Sequence, residues 1–411
     1  MRLSAKTVAA ALATSVSALV VAAPFALMSS SAAGSDLLPA VTAIDPAPRG
    51  AWSEAAVQDL VAEAHASLGE GMDPAAYDIA GLLTVADGTD TAEIDRRANA
   101  LALALADDYA NGLIQQRTRY DWHIEAPAMD QMQLSTGLRQ AVATGGIRPW
   151  LRSLLPQDPR YAALRHAYAT SGDAAVRDRL RVNLERWRWM PRSLGADHIY
   201  VNVPSYTLAV VDNGQAVSQY TVVVGSPRTP TPQLALQASS IVVNPSWTVP
   251  ESIARKGMGA GFQRITTGGY TRYVQAPGPR NALGKFKIDM PNPHAIYLHD
   301  TPSKALFARD SRAFSHGCIR VKDIDRLAAE LVATDDGAEA NLERAAAGAS
   351  TRTVALDRKL PVYLVYFTAD VDANGQLQML EDPYGRDARV LQDLSPAKRM
   401  VEKAPAAPTK A

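Results

Sequence analysis

Cys318 is the only cysteine in the 411-residue chain, and serine, histidine, glycine and arginine all lie within three residues of it. It lies in Ala313-Phe314-Ser315-His316-Gly317-Cys318-Ile319-Arg320-Val321. A thiol attacks as its thiolate, and a free cysteine ionises only at about pH 8.5, so a nucleophilic cysteine needs cations or dipoles close by. His316 and Arg320 flank it, and a helix is expected to begin shortly afterwards. Gly317 permits a tight turn, and the backbone N–H groups of Gly317 and Cys318 would then be free to hold a developing oxyanion. A thiol nucleophile also needs a general base. His299, in Tyr297-Leu298-His299-Asp300-Thr301-Pro302, ends a short expected strand. A strand, a loop and a return can bring it to Cys318.

Each residue also has a plainer reading. Cys318 could be a small buried hydrophobe. His316 could brace the turn through an orienting hydrogen bond, and His299 could sit at the surface. A copper or zinc site built from His294, His299, His316 and Cys318 is a further alternative. An open nucleophile accounts for Gly317, which a closed metal site does not require.

The composition bounds the setting. Hydrophobic residues make up 47% of the chain and aromatics 6%, so a core is affordable to build and Ala, Leu and Val must fill most of it. That rules out a wholly disordered chain. Forty-two basic residues balance forty-two acidic ones, without the basic excess of a nucleic-acid binder. Arg2 and Lys6 precede an apolar run over 8–23, and Ser31-Ala32-Ala33 follows it. This is the layout of a secretory signal. The alternative is a retained anchor, for which the Ala-rich run is only marginally hydrophobic. A lone thiol in an exported chain points to reactivity or to intermolecular pairing.

The elements that must position these residues divide into two groups. Residues 34–50 read as an Ala/Pro/Gly-rich linker. From 52 to 192 the periodicity is helical, with helices over 53–68, 91–113, 137–155 and 173–188 and no strand signal. Beyond 199 the pattern changes to short strands. The runs 206–211 and 216–224 flank Asp212-Asn213-Gly214, a hairpin signature of the type I′ kind. Further strands are expected at 240–244, 285–288, 295–298 and 361–368, a helix at 324–332 and a turn at Asn374-Gly375. The stretch 250–278, Gly-rich and expected to be partly helical, interrupts the strands like a lid.

Ser-His-Gly-Cys-Ile-Arg-Val with the upstream Tyr-Leu-His-Asp-Thr-Pro resembles the active-site signature of the YkuD-fold L,D-transpeptidases. Three further segments resemble the large periplasmic YcbB-type branch: Arg181-Val182-Asn183-Leu184-Glu185-Arg186-Trp187-Arg188-Trp189, Val243-Asn244-Pro245-Ser246-Trp247-Thr248-Val249-Pro250 and Pro277-Gly278-Pro279-Arg280-Asn281-Ala282-Leu283-Gly284. So does Phe307-Ala308-Arg309. The Phe-Gln…His-Gly-Leu…Asp-Gly pattern of the peptidoglycan-binding insertion common in that branch is not found between the helical region and the 181–189 segment.

The resemblance implies a multi-domain α+β chain: signal peptide 1–33, linker 34–50, helical scaffold 51–195, mostly-β catalytic domain 196–370 with a lid near 250–280 and one helix after the nucleophile, C-terminal extension 371–394 and disordered tail 395–411. It implies a periplasmic enzyme of cell-wall biogenesis that forms 3–3 cross-links between peptidoglycan stem peptides, with no metal or organic cofactor and no nucleic-acid partner. Hydrolysis of the same bond, or anchoring of a protein to the wall, is the alternative chemistry; a silent wall-binding scaffold would need neither Cys318 nor His299. The implied roles are Cys318 as nucleophile, His299 as general acid and base, Gly317 as an oxyanion donor, and His316 and Ser315 as loop supports. Arg320, Tyr297, Trp247 and Asn281 are candidates for substrate contact, although Arg320 could equally form an internal ion pair. Carbapenems are the implied covalent inhibitors, and other wall-synthesis proteins are possible partners.

Overall fold

The computed structural model describes residues 51–255, 257, 261–333, 337–372 and 374–395. The expected signal peptide and linker, and the expected tail from 396 onward, lie outside the described residues.

Seven helices build the scaffold: α1 Glu54–Ala66, α2 Ile79–Ala86, α3 Thr91–Asn111, α4 Gln131–Thr144, α5 Ile147–Ser153, α6 Pro159–Thr170 and α7 Ala174–Arg188. Side chains of Ser53, Asp78, Asp90, Asp130, Asp158 and Asp173 cap six of them by accepting a first-turn backbone N–H. The helix expected over 137–155 is two helices. Gly145 adopts φ +69°, which ends α4 and lets α5 start in a new direction.

The region expected to lack strands contains one, β1 at Trp122–His123. It pairs in parallel with Gln233–Leu234, so a long-range contact creates it. Two residues are too few to show a period.

The second part is β-rich. Its strands are β2 His198–Asn202, β3 Thr207–Asp212, β4 Gln215–Gly225, β5 Gln233–Val243, β6 Trp247–Thr248, β7 Gln263–Thr267, β8 Tyr270–Gln275, β9 Phe286–Asp289, β10 Leu298–His299, β11 Ala313–Ser315, β12 Ile319–Val321 and β13 Arg352–Val365. A small hairpin, β14 Ala369–Val371 with β15 Leu377–Met379, follows. The main sheet runs β5-β13-β2-β3-β4-β12-β10-β9, and the pairing of β9 back onto β5 closes the ring. Val201, Leu208, Val222, Ile241, Ile288, Leu298, Ile319 and Val362 fill its interior. The β3–β4 turn has φ +48° at Asn213 and +75° at Gly214, the two left-handed positions that its sequence calls for.

Several boundaries differ from the sequence reading. The strand expected over 361–368 runs from 352 to 365, with its register shifting just before Pro361, which is where a strand tolerates proline. The strand expected at 295–298 shrinks to Leu298–His299, because Ala295 takes φ +53°. The expected helix appears as α9 at Ile324–Val332, after a short α8 at Glu251–Ala254, and a second helix, α10 at Ala338–Ala347, packs against the same core. The lid-like stretch carries the short helix α8 and two strands, β7 and β8, which form a small sheet with β6 in the order β6-β8-β7.

The scaffold and the strands share a core. Tyr200, Tyr363, Phe367 and, from the last helix α11 (Asp387–Asp393), Val390 join the scaffold's hydrophobic cluster. The 181–189 segment is the clasp. The buried Asn183 carboxamide accepts the Thr368 N–H at 2.9 Å and donates to Thr368 Oγ1 at 2.8 Å. Trp187 stacks on Phe367 at 5.0 Å, and Arg186 pairs with Asp387 at 2.7 Å.

Asn183→Ala leaves the buried Thr368 N–H without its acceptor, while the Thr368 hydroxyl keeps its donation to Asp387. It should lower unfolding free energy by about 1–3 kcal/mol, the cost of one orphaned buried group. Urea unfolding of the two proteins measures this; a change below about 0.5 kcal/mol would remove the clasp from the account.

Candidate active site

The parallel register of β10 on β12 pairs Leu298 with Ile319 and His299 with Arg320. Leu298 and Ile319 point into the core, both fully buried. Alternation along a strand therefore turns Tyr297, His299, Cys318 and Arg320 to the opposite face. On the far side of β10, His299 pairs with Lys287 of β9. Two cations thus bracket one imidazole.

Cys318 is half-buried. Its thiol donates to Ala295 O at 3.4 Å. The Tyr297 N–H and hydroxyl favour the thiolate, and Trp247 acts on the Tyr297 hydroxyl in turn. Burial raises the thiol pKa above its ordinary value, against the pull of the Tyr297 donors and of the Lys287 and Arg320 charges. At neutral pH the resting group is the thiol.

His299 is 5% exposed, and its Nδ1 has no hydrogen-bond partner among the described residues. Burial first, and the Arg320 charge second, push its pKa down to about 3. The ring is therefore neutral and able to accept a proton. It packs edge-on against Tyr297 at 5.5 Å between centroids, and no hydrogen bond to Cys318 is formed at rest. Such contacts are often long without substrate and close when it binds.

The loop before Cys318 is held from below. Gly317 is buried at φ +112°, a left-handed conformation that favours glycine, and a Cβ there would come within 3.3 Å of Ile296 Cδ1. Thr231 Oγ1 donates to Gly317 O at 2.7 Å and accepts the Gly225 N–H at 2.9 Å. Ser315 lies in this loop, donating to Cys318 O at 2.6 Å and accepting the Gly317 N–H at 3.1 Å. That last bond corrects the reading of Gly317 as an oxyanion donor: its N–H is already used. The Cys318 N–H makes no hydrogen bond among the described residues and is the donor left for that task. His316 is exposed at the loop surface.

Asn281 is a second correction. It is 1% exposed, donates to Gln275 O and Ala276 O, and accepts the Leu283 N–H at 2.8 Å. Its carboxamide is consumed in shaping the 275–284 turn, so it cannot contact substrate. Gly284 completes that turn, because a Cβ there would lie 2.3 Å from the Asp300 carboxylate.

Arg320 is half-buried, has no carboxylate within ion-pair distance among the described residues, and leaves Nε without an acceptor. The internal ion pair considered for it is not formed. His294 packs against His123 of the scaffold at 4.6 Å rather than beside Cys318. Among the described residues no group of three or more His, Cys, Asp or Glu is arranged to hold a metal ion. Lys287 and Thr231 carried no motif signal. Only the alternation of Lys285-Phe286-Lys287-Ile288-Asp289 hinted that Lys287 leaves the core face.

Residues 196–342 match the L,D-transpeptidase catalytic domain, YkuD, and residues 47–167 match the family described as a scaffold domain. A Haemophilus influenzae protein provisionally named an L,D-transpeptidase is 32% identical over 250 residues, covering 54% of this chain and 50% of that protein. The chain thus spans about half the length of the curated relative it matches. Among solved structures, an L,D-transpeptidase from Mycobacterium smegmatis aligns over 41% of this chain and 58% of its own, at 15% identity and a TM-score of 0.25. LdtMt1 in complex with imipenem aligns over 41% and 59%, at 16% identity and a TM-score of 0.23.

The depressed His299 pKa has a stability consequence. The folded ring takes up its proton near pH 3 and the unfolded one at the ordinary 6.5, so the unfolded state binds more protons between them. Stability is fully present above the unfolded value and is lost as pH falls toward the folded one, by up to about 1.4 kcal/mol per pH unit. Urea unfolding between pH 7 and pH 4 should show a shallower loss in His299→Gln than in the parent. Equal slopes would mean that His299 is not held neutral by burial.

Proposed function

From a chain that carries a YkuD-type L,D-transpeptidase catalytic domain over residues 196–342, we propose an exported acyltransferase that forms 3–3 cross-links in peptidoglycan through Cys318. The observation that carries this is the shared face of Tyr297, His299, Cys318 and Arg320, with a neutral imidazole and a thiol on adjacent strands.

The donor is a tetrapeptide stem. The Cys318 sulfur attacks the carbonyl of its third residue at the L-centre, and the thiol proton passes to His299. The Cys318 N–H donates to the oxyanion as it develops. Collapse breaks the bond to D-Ala, whose amine leaves with the proton from His299, and a thioester remains. A side-chain amine of a neighbouring stem then attacks the thioester and gives its proton to His299. The new amide is the cross-link, and the thiol returns.

Lys287 and Arg320 fit this sequence as receivers of substrate carboxylate. Two cations facing a neutral imidazole, one of them without a counter-ion, form an electrostatic arrangement that an anionic stem completes. A bound carboxylate would also raise the His299 pKa toward the range where a base works best. Tyr297 and Trp247 hold the sulfur and its covering sheet in register. A strained β-lactam carbonyl offers the same thiol an acyl donor, so carbapenems are proposed as covalent inhibitors. Replacing the acceptor amine by water would make the enzyme an L,D-carboxypeptidase, and the covering sheet decides between them by excluding water.

Incubating the full chain with disaccharide-tetrapeptides should yield a cross-linked dimer lacking one D-Ala, resolved by mass spectrometry. Cys318→Ala should yield none. A product of disaccharide-tripeptide alone would establish hydrolysis instead, and dimer formation by Cys318→Ala would remove the thiol from the mechanism.

A further inference from the structure

Tyr384 lies in the C-terminal extension, beyond the matched residues 196–342, yet its hydroxyl reaches into the catalytic part. It donates to Gly225 O at 2.6 Å and accepts the Thr231 N–H at 3.2 Å. Thr231 Oγ1 accepts the Gly225 N–H at 2.9 Å. Gly225 and Thr231 are thus the two ends of a loop whose mouth is closed by one phenol oxygen and one hydroxyl. The loop has no slack, because a Cβ on Gly225 would lie 2.3 Å from Thr229 O.

Closed in this way, the 225–231 loop cradles the chain before Cys318. The Ser226 N–H and Thr229 Oγ1 donate to Ser315 O at 2.9 and 3.0 Å, and Thr231 Oγ1 donates to Gly317 O at 2.7 Å. The bond to Gly317 O sets the tilt of a peptide plane. Gly317 O and the Cys318 N–H belong to one planar unit, and it is trans, since the described residues contain no cis peptide bond. In a trans unit the carbonyl and the N–H point in opposite directions. Pinning the carbonyl to the buried Thr231 therefore aims the Cys318 N–H away from it, and that N–H is the one donor of the loop left for an oxyanion.

Tyr384 is itself firmly held. Its N–H donates to the Tyr366 hydroxyl at 2.8 Å, and its ring stacks on Tyr366 at 5.3 Å between centroids. The Arg386 guanidinium lies 5.0 Å from each of the two rings and pairs with Asp121 of the scaffold at 2.6 Å. Asp121 O in turn accepts the N–H of Gln233, two residues past Thr231. The phenol hydroxyl therefore stands at a fixed place relative to the loop it closes.

We propose that Tyr384 is a positioning residue for acylation, which fixes the aim of the Cys318 N–H through Thr231 and the Gly317 carbonyl. Tyr384→Phe keeps the ring and its stacking but leaves Gly225 O and the Thr231 N–H without their partner. The loop end then gains freedom, and the preset aim on which oxyanion stabilisation depends is lost. The role rests on the reading of Cys318 as nucleophile given above, and it extends the machinery to a residue outside the matched catalytic domain.

Two reactions of the same sulfur separate aim from reactivity. Acylation by imipenem passes through a tetrahedral oxyanion, whereas iodoacetamide alkylates by direct displacement of iodide and develops none. Intact-protein mass spectrometry of the full chain reads both at Cys318, its single cysteine. In Tyr384→Phe, verified as folded by thermal melting, the saturated acylation rate should fall at least about tenfold, part of the about 10²–10³-fold that a whole oxyanion donor contributes. The half-saturating imipenem concentration, and the alkylation rate across the range from about pH 5.5 to about pH 9, should stay within about twofold of the parent, because thiol ionisation is untouched. Should Tyr384→Phe melt below the assay temperature, Thr231→Ser keeps the hydroxyl but frees its rotation and should show a smaller loss of the same kind. Equal acylation in the parent and the folded variant, or a parallel fall in acylation and alkylation, would overturn the role while leaving Cys318 as the nucleophile. A parent that iodoacetamide alkylates and imipenem does not acylate would overturn the catalytic reading, and the role with it.

Discussion

Two short parallel strands, paired over two residue positions, set Tyr297, His299, Cys318 and Arg320 on one face. Leu298 and Ile319 meet inside the core, so Tyr297 and His299 on one strand and Cys318 and Arg320 on the other must face out together. A slip of one residue would exchange the two faces and bury the thiol in the place of Ile319. The burial of Leu298 and Ile319 resists that slip, and so do the neighbours on either side: β4 holds β12, and β9 holds β10. The loop before Cys318 is then fixed by Thr231 and Ser315, which bind its carbonyls and one of its N–H groups.

That constraint carries an electrostatic cost. It places a buried imidazole between Lys287 and Arg320 and a thiol beside both, with Asp289 the acidic group that answers Lys287, at 2.7 Å. Nothing among the described residues answers Arg320. The resting site therefore keeps both reacting groups neutral, and an anionic ligand is the missing element of the balance. In the proposed reaction the substrate supplies it, so that the base strengthens only when there is something to react with. Scaffold and strands are bound together by Asn183, Trp187 and Arg186, so the site rests on one packed body.

Much of this was legible in the sequence. The lone cysteine amid glycine, histidine and arginine singled out Cys318, and its strand end singled out His299; the structure sets both on one face. The Asn213-Gly214 turn fixed a hairpin, and the change from helical to alternating periodicity near 199 separated the two parts. Other features could not be read locally. β1 exists only because Gln233–Leu234 lies beside it. Thr231 acts through its hydroxyl on backbone atoms of other segments, a contact that its residue type does not signal. Gly317 was read as leaving its N–H free because its neighbour's hydroxyl was not yet in space beside it. Asn281 was read as a substrate contact because a polar residue in a motif suggests chemistry, whereas here the turn itself needs all its hydrogen bonds. Lys287 belongs to the site through a third strand.

The central claim is that strand register, not sequence proximity, supplies the base for Cys318. The direct measurement is the rate of Cys318 acylation by imipenem, followed by intact-protein mass spectrometry from pH 5.5 to 9 in the parent, His299→Ala and His316→Asn, each verified as folded by thermal melting. The account predicts that His299→Ala slows acylation by about 10²–10⁴-fold at neutral pH, the usual contribution of a positioned base, and that the deficit shrinks as rising pH ionises the thiol directly. His316→Asn, altered at an exposed position, should keep a rate within about tenfold of the parent, as the loss of a loop support rather than of a base would give. A dead His316→Asn beside a His299→Ala with the parent's pH profile would contradict the account.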